Sequence, residues 1–152
     1  LAKKHDRTGR SKGVDRYVAL THWMMRTPAW LDLRPNARCA YIEIARRYAG
    51  PGSNNGRIPC SVREISESLH ISKMTALRAL QELQDHGFIV QAKRGAFSVK
   101  CRHATEWRLT EYRDDVTGEM ATKDFARWGK IQNTVSPENP NGFPDDTERV
   151  SR

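Results

Sequence analysis

Residues 61–89 read SVREISESLHISKMTALRALQELQDHGFI, and the stretch carries its own punctuation. Ser61 with Glu64 has the S-x-x-E form of a capping box, which satisfies free amide donors at a helix start. Val62, Ile65 and Leu69 follow at helical spacing and predict one buried face. His70 and Ile71 make a turn. Ser72 is a second N-cap, and the helix behind it runs to about Asp85. Gly87 stands where a C′ glycine belongs. Phe88 to Lys93 alternates as a strand does, Phe88 and Val90 opposite Ile89 and Gln91. Two short helices across a tight turn, closed by a glycine and followed by a strand, give the order of a helix-turn-helix with the start of a wing behind it.

Downstream, Thr105 to Thr110 alternates too, with Trp107 and Leu109 on one face, and is expected to pair with 88–93 as a hairpin. The eleven residues between them, RGAFSVKCRHA, form a long basic connector, the wing. A minor alternative makes 96–99 an extra strand after a tight Arg94-Gly95 turn. Upstream, Arg57 to Cys60 reads as a short edge strand on account of Pro59, and GPGSNNG, 50–56, as a turn-rich loop. A helix is expected from Pro35, a residue suited to the first helical position, to about Ala49, with Ala37, Tyr41, Ile44 and Tyr48 as its apolar stripe. Thr21 is placed to cap a short helix holding Trp23 and Met24, which Pro28 interrupts. Two Trp and two Met so close together need burial, against the domain or in a dimer contact. Thr122 is placed to cap a short helix through Trp128.

The second helix of the motif has two physical jobs. One face must pack on the first helix, and the other must reach a major groove about 12 Å wide. Ala76, Ala79, Leu80 and Leu83 suit the packed face, the alanines allowing close approach. Lys73, Met74, Thr75, Leu77, Arg78 and Gln81 are left for DNA. Arg78 can form a bidentate contact with guanine and Gln81 with adenine, Met74, Thr75 and Leu77 can touch thymine methyl groups, and Lys73 suits a phosphate. The wing adds Lys93, Arg94, Lys100, Arg102 and His103 for backbone or minor-groove contact. Arg57, Ser61 and Arg63 are candidate backbone anchors. The competing reading, two core helices of an all-α domain, leaves Met74 and Leu77 exposed without reason. A third makes them the docking face of a protein-interaction module.

Charge follows the same division. Residues 1–16 sum to +4, residues 17–110 to +7 and residues 111–152 to −3, giving the net +8 of the 152-residue chain. A basic body favours a polyanionic partner. Residues 1–16 have too little apolar content to fold alone and read as a flexible basic arm. Residues 130–152 contain three prolines within an acidic, apolar-poor stretch and read as a disordered or loosely docked tail, open to a protein partner. No apolar run approaches the ~20 residues of a membrane span, and Cys39, Cys60 and Cys101 read as reduced thiols of a cytoplasmic chain.

Enzymatic chemistry finds no foothold in the pattern. The five histidines are scattered, and Cys101-x-His103 lacks partners at metal-site spacing. Asp114-Asp115 and Asp145-Asp146 read as solvated turns, and no G-x-x-x-x-G-K phosphate loop occurs. No cofactor and no metal are expected.

The segments NNGRI, SVREIS, ISKMTALRAL, HGFI and ATEWRLT resemble winged helix-turn-helix proteins of bacterial mobile elements, plasmids and phages. Broader relatives are the MarR-like and GntR-like regulators and the N-terminal domains of replication initiators. The likeness covers roughly residues 17–129 and is best over 54–110. It implies duplex DNA recognition, usually as a homodimer, with the second helix in the major groove and the wing alongside. The chain departs from those families in lacking a recognisable effector domain, and in Thr75-Ala76 where Thr-Val is more usual. The expected fold class is α+β, a winged helix-turn-helix with a small antiparallel hairpin wing over 17–129. The expected function is sequence-specific binding of double-stranded DNA, as a regulator of a mobile element or as a replication or recombination accessory factor.

Overall fold

The computed structural model describes residues 16–98 and 101–129, the side chains of 96–98 and 101–102 excepted. Five helices come in the order α1 (His22–Met25), α2 (Pro28–Asp32), α3 (Pro35–Arg46), α4 (Val62–Leu69) and α5 (Lys73–Asp85). The strands are β1 (Ile58–Pro59), β2 (Ile89–Lys93), β3 (Ala96–Ser98), β4 (Cys101–His103) and β5 (Glu106–Leu109). A single 3-10 turn, Asp124–Ala126, follows. The fold is α+β: helices followed by a small antiparallel three-stranded sheet, with a two-stranded ribbon beyond it.

The helix ends obey local chemistry. Thr21 accepts from the Met24 amide and Thr27 from the Trp30 amide, so α1 and α2 are each N-capped. Pro28 therefore opens a second helix at a position that needs no amide donor, where the sequence suggested only an interruption. The Ser61–Glu64 capping box is present in both directions. The α4–α5 turn pivots on His70 in the left-handed region, φ 53°, and Ser72 caps α5. α5 ends in a Schellman pair: the Gly87 amide donates to the Gln84 carbonyl at 2.9 Å and the Phe88 amide to the Leu83 carbonyl at 2.9 Å. Gly87, at φ +76°, supplies the left-handed residue this requires, and a Cβ there would meet the Asp124 and Phe125 backbone at 2.8 Å.

α3 and α4 both pack on α5, through Ala37, Ala40, Ile44 and Ile65 against Ala76, Ala79, Leu80 and Leu83. α3 stops at Arg46, a turn short of the expected Ala49. Tyr48, beyond its end, is half-buried and stacked on Tyr112 at 4.8 Å. Aromatic rings bind the helices to the sheet. Phe88 stacks on Phe125 at 4.8 Å, and Trp30 meets Tyr41 and Phe88 edge-on. The Trp and Met residues of 23–30 turn onto the domain: Met24 and Trp30 are buried, and Trp23 meets Phe125 edge-on.

The sheet order is β1-β5-β2, antiparallel throughout, with Ile58 opposite Trp107 and Ile89 opposite Leu109. The expected alternation along β2 fails at its start. Phe88 and Ile89 are both buried, because Phe88 belongs to the helix cap and points into the aromatic cluster, while Val90 and everything after it is exposed. The connector is not a loop either. β3 pairs with β4, Ala96 opposite His103, so the wing is a long ribbon interrupted at Gly95 and Ala104-Thr105. The Arg94-Gly95 pair is thus a break within the ribbon, not a hairpin turn returning β3 to β2. Gly95 is needed there, since a Cβ would sit 2.9 Å from the His103 carbonyl oxygen.

The 3-10 turn replaces the helix expected through Trp128. Lys123, not Thr122, precedes it, in the left-handed region. Asp114 and Asp115 are not solvated turn residues. Asp114 is buried and accepts from the Val116 and Thr117 amides, and Asp115 accepts from Asn55 and Gly52, tying loop 50–56 to the chain after β5. Arg16, the last residue of the expected arm, donates to the Tyr48 carbonyl at 2.9 Å. The rest of the arm and the 130–152 tail lie outside the described residues. Among the described residues no helix is long and apolar enough to cross a membrane, and no cluster of three or more His, Cys, Asp or Glu is placed to hold a metal ion.

Candidate nucleic-acid interface

α5 separates its residues by face as the sequence suggested. Ala76, Ala79, Leu80 and Leu83 are buried. Lys73, Met74, Leu77, Arg78 and Gln81 are exposed, and Thr75 is half-buried at the edge. Two adjacent large apolar groups stand on this outer face, Met74 57% and Leu77 38% exposed. Thr75 is partly committed: its hydroxyl lies 2.9 Å from Ser72 Oγ, which also accepts from the Thr75 amide at 3.1 Å. Arg78 and Gln81 flank a polar crevice of about 390 Å³ that also takes in Asp32, Arg34, Glu82, Asp85 and His86. Three acidic residues, Asp32, Glu82 and Asp85, line that crevice together with the two arginines Arg34 and Arg78.

The C-terminal end of α5 is fixed from three sides. The buried His86 ring lies 2.8 Å from both the Glu82 carbonyl and the Asp32 carboxylate and stacks on Trp128 at 4.3 Å. The Arg34 amide donates to Glu82 Oε1 at 2.7 Å. These contacts set the pitch of α5 against α2 and α3 and hold its outer face rigid, as a reading surface requires.

β2 begins two residues after Gly87, so only the cap residues His86, Gly87 and Phe88 separate it from α5. Lys93, Arg94 and His103 are exposed along it. Lys100 and the side chain of Arg102 lie outside the described residues. Lys93 and Arg94 stand at the junction of the sheet with the outer ribbon, beside Gly95, whose amide donates to Thr105 Oγ1 at 3.3 Å.

The three candidate anchors are already engaged within the chain. Ser61 Oγ and its amide both donate to Glu64 Oε2 at 2.8 Å. Glu64 in turn accepts from Arg47 at 2.8 Å, and Arg47 also donates to the Pro59 carbonyl. Burial works against ionisation of Glu64, but the bonds from Arg47 and Ser61 outweigh it and hold the carboxyl below the usual range. Arg63 pairs with Glu67 at 2.7 Å, and Arg57 donates to the Ser53 carbonyl at 3.0 Å. Their structural roles at the α4 start and in loop 50–56 are plain. The sequence reading missed Arg47, which bridges β1 and α4, and Asn55, which is wholly buried under β5. An asparagine amid GPGSNNG gives no local sign that its partners lie more than fifty residues on.

No curated protein and no solved structure matches the chain. Residues 54–93, from the loop before β1 to the last residue of β2, match the family model of the IclR helix-turn-helix domain, so this portion of the chain is similar to the helix-turn-helix of a winged helix-turn-helix regulator family.

Proposed function

We propose that the chain binds double-stranded DNA sequence-specifically and acts as a transcriptional regulator, with α5 in the major groove and the wing along the flanking backbone. The observation that carries this is the exposed face of α5, Lys73, Met74, Leu77, Arg78 and Gln81, on a helix fully buried behind and lying inside the segment similar to the IclR helix-turn-helix domain. Arg78 and Gln81 have the donor geometry for purine edges, Lys73 sits at the helix start within reach of a phosphate, and Lys93, Arg94 and His103 supply backbone contacts, with Lys100 and Arg102 assigned the same role. The chain acts as a homodimer on a two-fold site, in keeping with the symmetric half-sites that such motifs use. Its place is in the control of a bacterial mobile element, the setting of the proteins its motifs resemble. A replication or recombination accessory factor is the rival within the same chemistry.

Titration of the purified chain with a labelled duplex at several salt concentrations tests the first claim. The logarithm of affinity should fall linearly with the logarithm of salt, by about 0.9 per phosphate neutralised. A salt-insensitive interaction would count against DNA. Genome-wide mapping of bound sites separates regulator from initiator: promoter operators for one, repeated origin sites for the other. Sedimentation with and without DNA tests the dimer, and one protomer per site at saturation would remove it.

A further inference from the structure

The outer face of α5 is one straight stripe. Met74, Leu77, Arg78 and Gln81 stand at i, i+3, i+4 and i+7, positions that line up along a helix, and all four are exposed. The stripe changes character along its length. Its first turn is apolar, with Met74 57% and Leu77 38% exposed, and its second is polar. At about 1.5 Å per residue it is roughly 10 Å long, the span of about three base-pair steps at 3.4 Å. Thr75 adds little polarity to the apolar turn, because its hydroxyl is shared with the Ser72 cap. The buried side of α5 is filled by Ala76, Ala79, Leu80 and Leu83, so the core has no use for Met74 or Leu77. Flanking cations, Lys73 on one side and Arg78 on the other, favour a polyanion over an apolar protein surface as the occupant.

Phosphates and nearly all major-groove base edges are polar, and an apolar side chain laid against them removes water without replacing its hydrogen bonds. The exception is the methyl group on C5 of a pyrimidine. We propose that Met74 and Leu77 together receive a pyrimidine C5-methyl group in the major groove, within about three base pairs of the purine edge that Arg78 and Gln81 read. The assignment rests on the DNA-binding reading above and sharpens it. Thymine and 5-methylcytosine carry the same methyl group, so the chemistry is shared and the source is separated by experiment.

The wild-type chain selects a preferred duplex from a random pool, and each thymine of that duplex is then replaced singly by deoxyuridine, which removes only the methyl. One or two replacements should lower affinity about fourfold, the value of one buried methyl group. The loss should shrink or vanish in Met74→Ala and Leu77→Ala, which truncate exposed side chains and leave the circular dichroism spectrum unchanged. At the sensitive position, a C·G pair and its 5-methylcytosine form are compared: a gain on methylation extends the reading to methylated DNA, and no gain restricts it to thymine. Deoxyuridine that is neutral everywhere, or a loss that both variants retain in full, overturns the proposal and leaves the stripe to a protein partner. Failure of the underlying DNA reading looks different, since no duplex is then enriched at all.

Discussion

The side-chain amide of Asn55 pairs with both backbone groups of Leu109: the Leu109 amide donates to Asn55 Oδ1 at 2.7 Å, and Asn55 Nδ2 donates to the Leu109 carbonyl at 2.9 Å. This is the bond pattern of a neighbouring strand, supplied by a side chain. β1 is only two residues long, and Asn55 continues its pairing along β5. The same Nδ2 reaches the Tyr112 and Arg113 carbonyls at 3.2 and 2.9 Å, so one buried residue satisfies the turn after β5 as well.

Asn55→Ala should therefore cost about 3 kcal/mol, because buried backbone groups of Leu109 and the turn after it lose the Asn55 amide as partner and water does not reach the site to replace it. Asn55→Asp should be at least as costly at neutral pH, since a carboxylate faces carbonyl oxygens in place of a donor. Urea unfolding of both variants gives the measurement, and a loss below about 1 kcal/mol for both would show that the loop finds other partners.

Gly87→Ala should destabilise by about 2 kcal/mol or more. The left-handed φ of +76° strains any other residue, and the added Cβ would meet the backbone of Asp124 and Phe125 at 2.8 Å. A fall in Tm of roughly 4–8 °C is expected for a domain of this size. An unchanged Tm would mean that the 3-10 turn can move away from the α5 cap without loss.

Stability should fall in acid. Burial opposes ionisation at Glu64, Glu43, Asp114 and Asp115, but it is outweighed: by Arg47 and Ser61 at Glu64, by Arg46 and Ser68 at Glu43, by the Thr117 and Val116 amides at Asp114, and by the Asn55 and Gly52 amides at Asp115. Their folded values lie below the unfolded ones near 4. The stabilisation is thus complete above about pH 5 and lost as pH falls through the folded values. Glu111 has the opposite sign. Burial raises it despite the bond from Tyr41, so its contribution is lost as pH rises through its folded value. Four depressed carboxyls against one raised predict a urea midpoint that drops below pH 4, and a shallower drop in Glu64→Gln. A midpoint that climbs from pH 5 to pH 3 would contradict this sign.

Arg78→Ala should narrow the gap between preferred and competing duplexes by about 1–3 kcal/mol. Competition binding against single-base variants measures it. An equal loss for every sequence would make Arg78 a phosphate contact.

Lys73→Ala should reduce the salt slope by about 0.9. Arg63→Ala and Arg57→Ala should change it less, because Arg63 is paired with Glu67 and Arg57 with the Ser53 carbonyl in the free chain. Equal slopes for the three variants would make Arg57 and Arg63 phosphate anchors on a par with Lys73.

The parts legible in the sequence are those decided within one or two helical turns. The Ser61–Glu64 box, the Ser72 cap, the end of α5 at Asp85 and the glycine behind it all depend on neighbours in the chain, and each stands where the residues indicate. The faces of α5 were legible for the same reason, since helical spacing alone separates Ala76 and Leu83 from Met74 and Arg78. What escaped depends on distant partners. Phe88 breaks the alternation of β2 because Phe125 waits for it, Asn55 looks like any turn residue until Leu109 is beside it, and Asp114-Asp115 look solvated until loop 50–56 closes on them. β3 stands where the extra strand over 96–99 was the minor alternative, but its pairing with β4 was not legible, because a short apolar run flanked by basic residues carries too little pattern to tell ribbon from loop.

The order of the sheet has a consequence for how the chain matures. β1 and β2 share no bonds; each pairs with β5, the last of the three to be synthesised. α5 and its caps leave the ribosome before the strand that joins β1 to β2, and until residues 106–109 emerge both edges of β2, rather than one, are open to any other strand nearby. The helices can form early, from local contacts, but the interface acquires its fixed shape only in a final closing step. Nascent chains arrested with Leu109 still inside the exit tunnel should stay open to protease, and chains some forty residues longer should not.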